Sequence, residues 1–198
     1  MRSRRFILAL LFGVAAFLLY RSTAAPGLLF GDAGEFQFTL PLLGLSHPTG
    51  YPLYHLLGWL WEQFYRLNPA QGANHFSALW GGVAVGLFYW LAAELLSQMT
   101  GQLRWQRGSG WLAGISTIVF AANPTFWGEA TRAEVYTLHA ALIILLFITT
   151  LKLVQRHWFQ SRQRELAFPW AWALVLGLGL THHLTIILIW QAVALFVL

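Results

Sequence analysis

Apolar runs long enough to cross a bilayer recur along this chain, and they leave little room for any fold but a membrane-embedded helical one. A helix needs roughly 20 residues, within a range of about 17–25, to cross about 30 Å of hydrocarbon. Candidate spans cover residues 6–20, 76–93, 111–126 and 135–151, followed by an uncharged stretch from Leu166 to Leu198. As one helix that stretch would be about 50 Å long, so it should break near Thr181, His182 and His183 into spans 168–181 and 184–198. Charged residues make up only 10% of the chain, against about 25% in soluble domains. The expected fold is all-α, a polytopic transmembrane bundle of about six spans, because helices satisfy their own backbone in lipid. The first span is short enough to be a signal peptide, but Arg21 stands ahead of the small residues Ser22 to Ala25 and favours an uncleaved helix. A chain that stops inside an apolar run reads as the N-terminal part of a longer protein.

The few charges are sorted. Nine of the 12 basic residues fall on alternate connections, namely Arg2, Arg4, Arg5, Arg104, Arg107, Lys152, Arg156, Arg162 and Arg164. The positive-inside rule puts these and the N-terminus in the cytoplasm. Asp32, Glu35, Glu62, Glu129 and Glu134 then lie outside. The net charge of +5 is thereby a topology signal and calls for no nucleic-acid partner. With no cysteine, disulfides, thiolate metal sites and a cysteine nucleophile are excluded.

The outer loop, residues 21–75, is too long for a simple connection. Within it Leu53, Leu56, Leu57, Leu60, Trp61, Phe64 and Leu67 recur at spacings of three and four, predicting an amphipathic helix lying in the membrane interface. His55, Glu62, Gln63 and Arg66 fall on its other faces. Ahead of it, Gly31-Asp32-Ala33-Gly34-Glu35 sets two carboxylates three apart, on one face if helical. They suit acid–base chemistry divided between two environments, or an Asp32 N-cap with a capping-box partner. Both readings stay open. His47-Pro48-Thr49-Gly50-Tyr51-Pro52 fixes a turning backbone that ends where the amphipathic helix starts, with Pro52 suited to its first turn. His47 is a candidate phosphate contact or proton donor, or a solvated loop histidine.

On the second outer loop, Asn123-Pro124 marks a break at the top of a span. Thr131 to Glu134 matches a capping box for the next helix, and Glu129 and Arg132 are spaced to pair. Ionisable groups at a membrane border are costly unless paired or used, and an arginine there can grip a phosphate bidentately. The adjacent His182 and His183 point about 100° apart on a helix, a poor match to a two-ligand metal motif at i and i+4. All these polar groups map to the same side of the membrane.

Together with Gly44 to Leu53, Asn123 to Tyr136 and Gly179-Leu180-Thr181-His182-His183, the Gly31 to Glu35 motif resembles a bacterial member of the protein O-mannosyltransferase-like family. The resemblance implies a GT-C glycosyltransferase fold and a bacterial inner-membrane location. It also implies transfer of a mannose-like sugar from a polyprenyl-phosphate donor to a hydroxyl acceptor, protein or glycan, on the outer face. In that superfamily an acid of the first outer loop is catalytic. The resemblance thus casts Asp32 as general base and Glu35 as its catalytic neighbour. Substrate binding is expected from His47, Tyr51, Glu129, Arg132, Glu134, His182 and His183, with membrane lipids around the spans. No cofactor is required; the carboxylates are of a kind that can take Mg²⁺ or Mn²⁺. A transporter or flippase of lipid-linked sugars, which should show inverted repeats, and a non-catalytic membrane scaffold are the alternatives.

Overall fold

The computed structural model describes residues 2–65, 68–99, 103–159 and 167–197. Among them the secondary structure is all helical. In chain order come α1 (Arg2–Thr23), α2 (Asp32–Leu42), α3 (Pro52–Phe64), α4 (Pro69–Met99), α5 (Leu103–Ala121), α6 (Pro124–Ala130), α7 (Tyr136–Phe159), α8 (Ala167–Leu180) and α9 (Ile186–Val197). Three stretches are long and apolar enough to cross a membrane, Ser3–Thr23, Pro69–Gln98 and Tyr136–Gln155, which makes this an integral membrane protein. Two expected spans take the form of shorter apolar helices, Gly110–Ala121 and Trp170–Leu180. The break expected at Thr181 to His183 is present between α8 and α9.

The spine is α4, whose 31 residues make it about 46 Å long. It packs against α1, α2, α3, α5, α6 and α7. Its closest neighbour is α1, because glycines face each other where they meet. A Cβ on Gly82 would lie 2.7 Å from the Gly13 carbonyl oxygen, and one on Gly86 would lie 2.8 Å from that of Ala9. Small residues four apart on both helices let the backbones touch, a common way for helices to associate in lipid.

The loop between α1 and α4 is itself helical. Pro52 occupies the first turn of α3, as expected, and Tyr51 caps it in the left-handed region at φ 44°. The apolar stripe of α3 is split by the packing. Leu53, Leu57 and Trp61 lean on the core beneath α2 and α4, whereas Leu56, Leu60 and Phe64 are exposed. The face turned fully inward carries Tyr54, His55, Gly58 and Glu62. Hydropathy alone would have buried the opposite side. Arg66 and Leu67 lie outside the described residues.

Candidate functional site

The site begins with a backbone conformation. Gly31 precedes α2 at φ 69° and ψ −149°, a region open essentially to glycine. It turns the chain so that Asp32 becomes the first helical residue. A Cβ on Gly34 would strike the Leu29 carbonyl, so the second glycine of the motif lets the approach loop fold tightly over the helix. The cap is therefore Gly31, with no side-chain capping bond. The N-cap reading of Asp32 is corrected: its exposed carboxylate faces outward from the first turn, and Glu35 bonds elsewhere.

Buried polar side chains hold this loop to the second one. Gln37 accepts from the Leu29 N–H at 2.9 Å and donates to Asn74 Oδ1 at 2.9 Å. Asn74, completely buried on α4, donates to the Ala25 carbonyl at 2.8 Å and accepts from the Ala133 N–H at 2.8 Å. One turn later the Ser77 hydroxyl accepts from the Glu134 N–H at 2.9 Å and lies 3.1 Å from the Glu134 carbonyl. The Ala25 N–H closes the frame on the Thr131 carbonyl at 2.9 Å. The capping box expected at Thr131 to Glu134 is thus not formed. Thr131 ends α6, its hydroxyl directed at the Trp127 carbonyl at 3.0 Å, and the Glu134 N–H is taken by Ser77.

This frame brings Asp32, Arg132 and Glu134 to the lining of one cavity of about 400 Å³, with Leu29, Phe30, Gly31 and Ala33. Arg132 donates to Glu129 Oε1 at 2.6 Å, and its Nε lies 3.6 Å from Glu134 Oε1. One cation thus stands between two carboxylates. Burial, followed by repulsion from Glu129, pushes the Glu134 carboxyl up to about 7 against the pull of Arg132. Glu134 is consequently poised to change protonation near neutrality, the property expected of an acid–base group.

Beside the cavity, both Glu35 oxygens accept from His47, Oε1 from its N–H at 2.6 Å and Oε2 from its Nδ1 at 2.7 Å. That bond holds the Glu35 carboxyl below the usual range and raises the His47 imidazole. The ligand atoms of Asp32, Glu35 and His47 lie within 4.8 Å of one another, a mixed oxygen and nitrogen set of a kind that can hold a divalent cation. Tyr51 continues the chain, its hydroxyl 3.4 Å from His47 Nε2. Behind its ring stand His183, with centroids 5.6 Å apart, and His182 at 6.4 Å.

Of the residues singled out in the sequence, Asp32, Arg132 and Glu134 line the cavity, while Glu35, His47 and Glu129 adjoin it through the contacts above. His182 does not line it. It is 1% exposed and donates through Nε2 to the Val135 carbonyl at 3.0 Å, so it supports the segment carrying Glu134. The Nδ1 of His183 accepts from the Thr185 hydroxyl at 2.8 Å. Sequence reasoning passed over Gln37, Asn74 and Ser77. The available signal was uncharged polar residues inside otherwise apolar helical faces, where each needs a partner.

The family model described as the protein O-mannosyl-transferase TMEM260 N-terminal domain matches residues 32–198. A Dictyostelium discoideum protein named protein O-mannosyl-transferase tmem260 is 25% identical over 185 residues, covering 89% of this chain and 21% of its own. The Mus musculus protein O-mannosyl-transferase TMEM260 is 27% identical over 175 residues, covering 88% of this chain and 22% of its own. This chain therefore spans about a fifth of the length of these relatives. No solved structure matches it. The chain belongs to the TMEM260 N-terminal domain family.

Proposed function

We propose, from that family membership, that the chain forms the outer-face catalytic part of a membrane glycosyltransferase of GT-C type. It would move a mannose-like sugar from a polyprenyl-phosphate donor to a hydroxyl, such as a protein Ser or Thr. The observation that carries this reading is that Asp32, Arg132 and Glu134 line one cavity, at the end of the bundle where both acidic loops meet. The names of the relatives support sugar transfer to protein, and the basic connections support a cytoplasmic N-terminus with this cavity outside.

In the proposed reaction Asp32 takes the proton of the acceptor hydroxyl as its oxygen bonds the anomeric carbon. The bond from that carbon to the phosphate oxygen breaks, and the polyprenyl phosphate departs from the opposite face, inverting the centre. Asp32 suits the base because it is exposed at the helix start, where an incoming hydroxyl can reach it. Negative charge developing on the leaving phosphate is met by the half-exposed Arg132 and by His47, which Glu35 keeps protonated to higher pH. Groups positioned at developing charge account for much of the rate in such reactions. Glu134, neutral below about 7, lets a phosphate approach without facing another full negative charge.

The test is transfer from a panel of labelled polyprenyl-phosphate sugars by the full-length protein, wild type against Asp32→Asn. Loss of a general base should lower the rate by about 10²–10⁴-fold, with the variant inserted and folded as wild type. Wild-type rates in Asp32→Asn would remove Asp32 from the mechanism.

A further inference from the structure

Phe30 lines the same cavity as Asp32, yet its side chain is fully exposed. Single exposed apolar side chains are ordinary, but this one is held in place. The Leu29 N–H donates to Gln37 Oε1 at 2.9 Å, and the Gln37 amide donates to the Gly27 carbonyl at 3.2 Å. Gln37 is itself buried on α2, so it pins the loop from inside. On the other side Gly31 turns the chain at φ 69°, and the Leu29 carbonyl lies against Gly34. The backbone on both sides of Phe30 is thereby fixed, and the ring stays at the cavity wall instead of turning inward.

A cavity of about 400 Å³ is about 9 Å across if round, and successive residues of a polypeptide are about 3.8 Å apart. A polypeptide whose Ser or Thr hydroxyl reaches Asp32 therefore brings its next one or two residues against the cavity wall, where Phe30 is the aromatic lining residue. We propose that Phe30 selects the acceptor by packing against an apolar side chain within two residues of the Ser or Thr that receives the sugar. The proposal rests on the reading of Asp32 as base toward a protein hydroxyl. Apolar surface that leaves water on both partners favours the pair, and a glycine neighbour has no side chain to offer. A ring held by a fixed backbone loses little freedom on binding. Phe30 meets the acceptor away from the reacting hydroxyl, so the contact is the same before and during transfer and acts on KM rather than kcat. Leu28 is exposed two residues earlier but is not part of the cavity lining. An outer leaflet taking up this loop would engage both side chains, whereas an acceptor in the cavity meets Phe30.

The test uses the full-length protein, the labelled polyprenyl-phosphate sugar it accepts, and two peptides that carry either Leu or Gly on both sides of one Ser. Wild type should show a KM about fivefold lower for the Leu peptide. Phe30→Ala should raise that KM to the value of the Gly peptide, and Phe30→Leu should keep most of the preference. Leu28→Ala should behave as wild type. Equal KM for the two peptides in wild type, or a preference that survives Phe30→Ala, overturns the inference and leaves Asp32 as base. Loss of rate on both peptides alike in Phe30→Ala and Leu28→Ala also overturns it and assigns the loop to the outer leaflet. Transfer to neither peptide overturns the inference together with the reading of a protein acceptor on which it rests.

Discussion

Asn74→Ala should loosen both loops at once, because one side chain joins three separate segments. Its amide donates to Ala25, and its carbonyl accepts from Gln37 and from the Ala133 N–H. The residue is fully buried, so water cannot readily replace it. Each net hydrogen bond contributes about 1 kcal/mol, and each buried group left unpaired costs about 1–3 kcal/mol. Gln37 keeps its bond to Leu29 and lies 3.4 Å from the Ala70 carbonyl, so its loss is partial. The Ala133 N–H and the Ala25 carbonyl lose the partner that Asn74 supplied. A total of about 3–5 kcal/mol follows. At about 2–4 °C per kcal/mol for a chain of this size, the melting temperature should fall by at least about 6 °C. Intrinsic fluorescence of the 11 tryptophans during heating in mild detergent reads this directly. Gln37→Met combined with Asn74→Ala should cost less than the two separate losses added, because they share a bond. A shift under about 2 °C for Asn74→Ala, or strict additivity of the pair, would refute the view that this polar frame fixes the site.

Three further outcomes follow from the same geometry. The Glu35–His47 pair should be complete between the ordinary carboxylate and imidazole values, about 4.3 and 6.5. Its contribution is lost as pH falls through the depressed Glu35 value or rises through the raised His47 value; NMR should find the His47 midpoint above 6.5 and falling in Glu35→Gln. Burial pushes the Glu62 carboxyl up to about 7, so the unfolded chain releases its proton first as pH rises and stability should drop between about 4.3 and 7. Thermal melts of Glu62→Gln should lack that component, and a wild-type slope in the variant would contradict the assignment. Gly82→Ala would place a methyl 2.7 Å from both the Gly13 carbonyl oxygen and Phe17 Cβ; parting α1 from α4 should lower the melting temperature by several degrees, about 1–3 kcal/mol of overpacking.

The sequence by itself determined the helical membrane fold, the break at Thr181 to His183 and the start of α3 at Pro52. Each of these follows from local quantities: the length of an apolar run, the position of a proline, the spacing of neighbours along one helix. The pairing of Glu129 with Arg132, three residues apart, was legible for the same reason. Only the tertiary structure decided which face of α3 turns inward, since that depends on Leu40 meeting Gly58 and on Glu62 packing against Gly72. It also decided that Asp32 and Thr131 do not act as side-chain caps. Gly31 turns the chain before Asp32, and Ser77, far away in sequence, takes the Glu134 N–H that a local cap would have claimed. Hydrogen-bond partners are chosen by whichever group arrives when distant helices pack, and hydropathy along a chain carries no record of that meeting. The sequence named the acids, and packing around Asn74 and Ser77 chose which of them share a cavity.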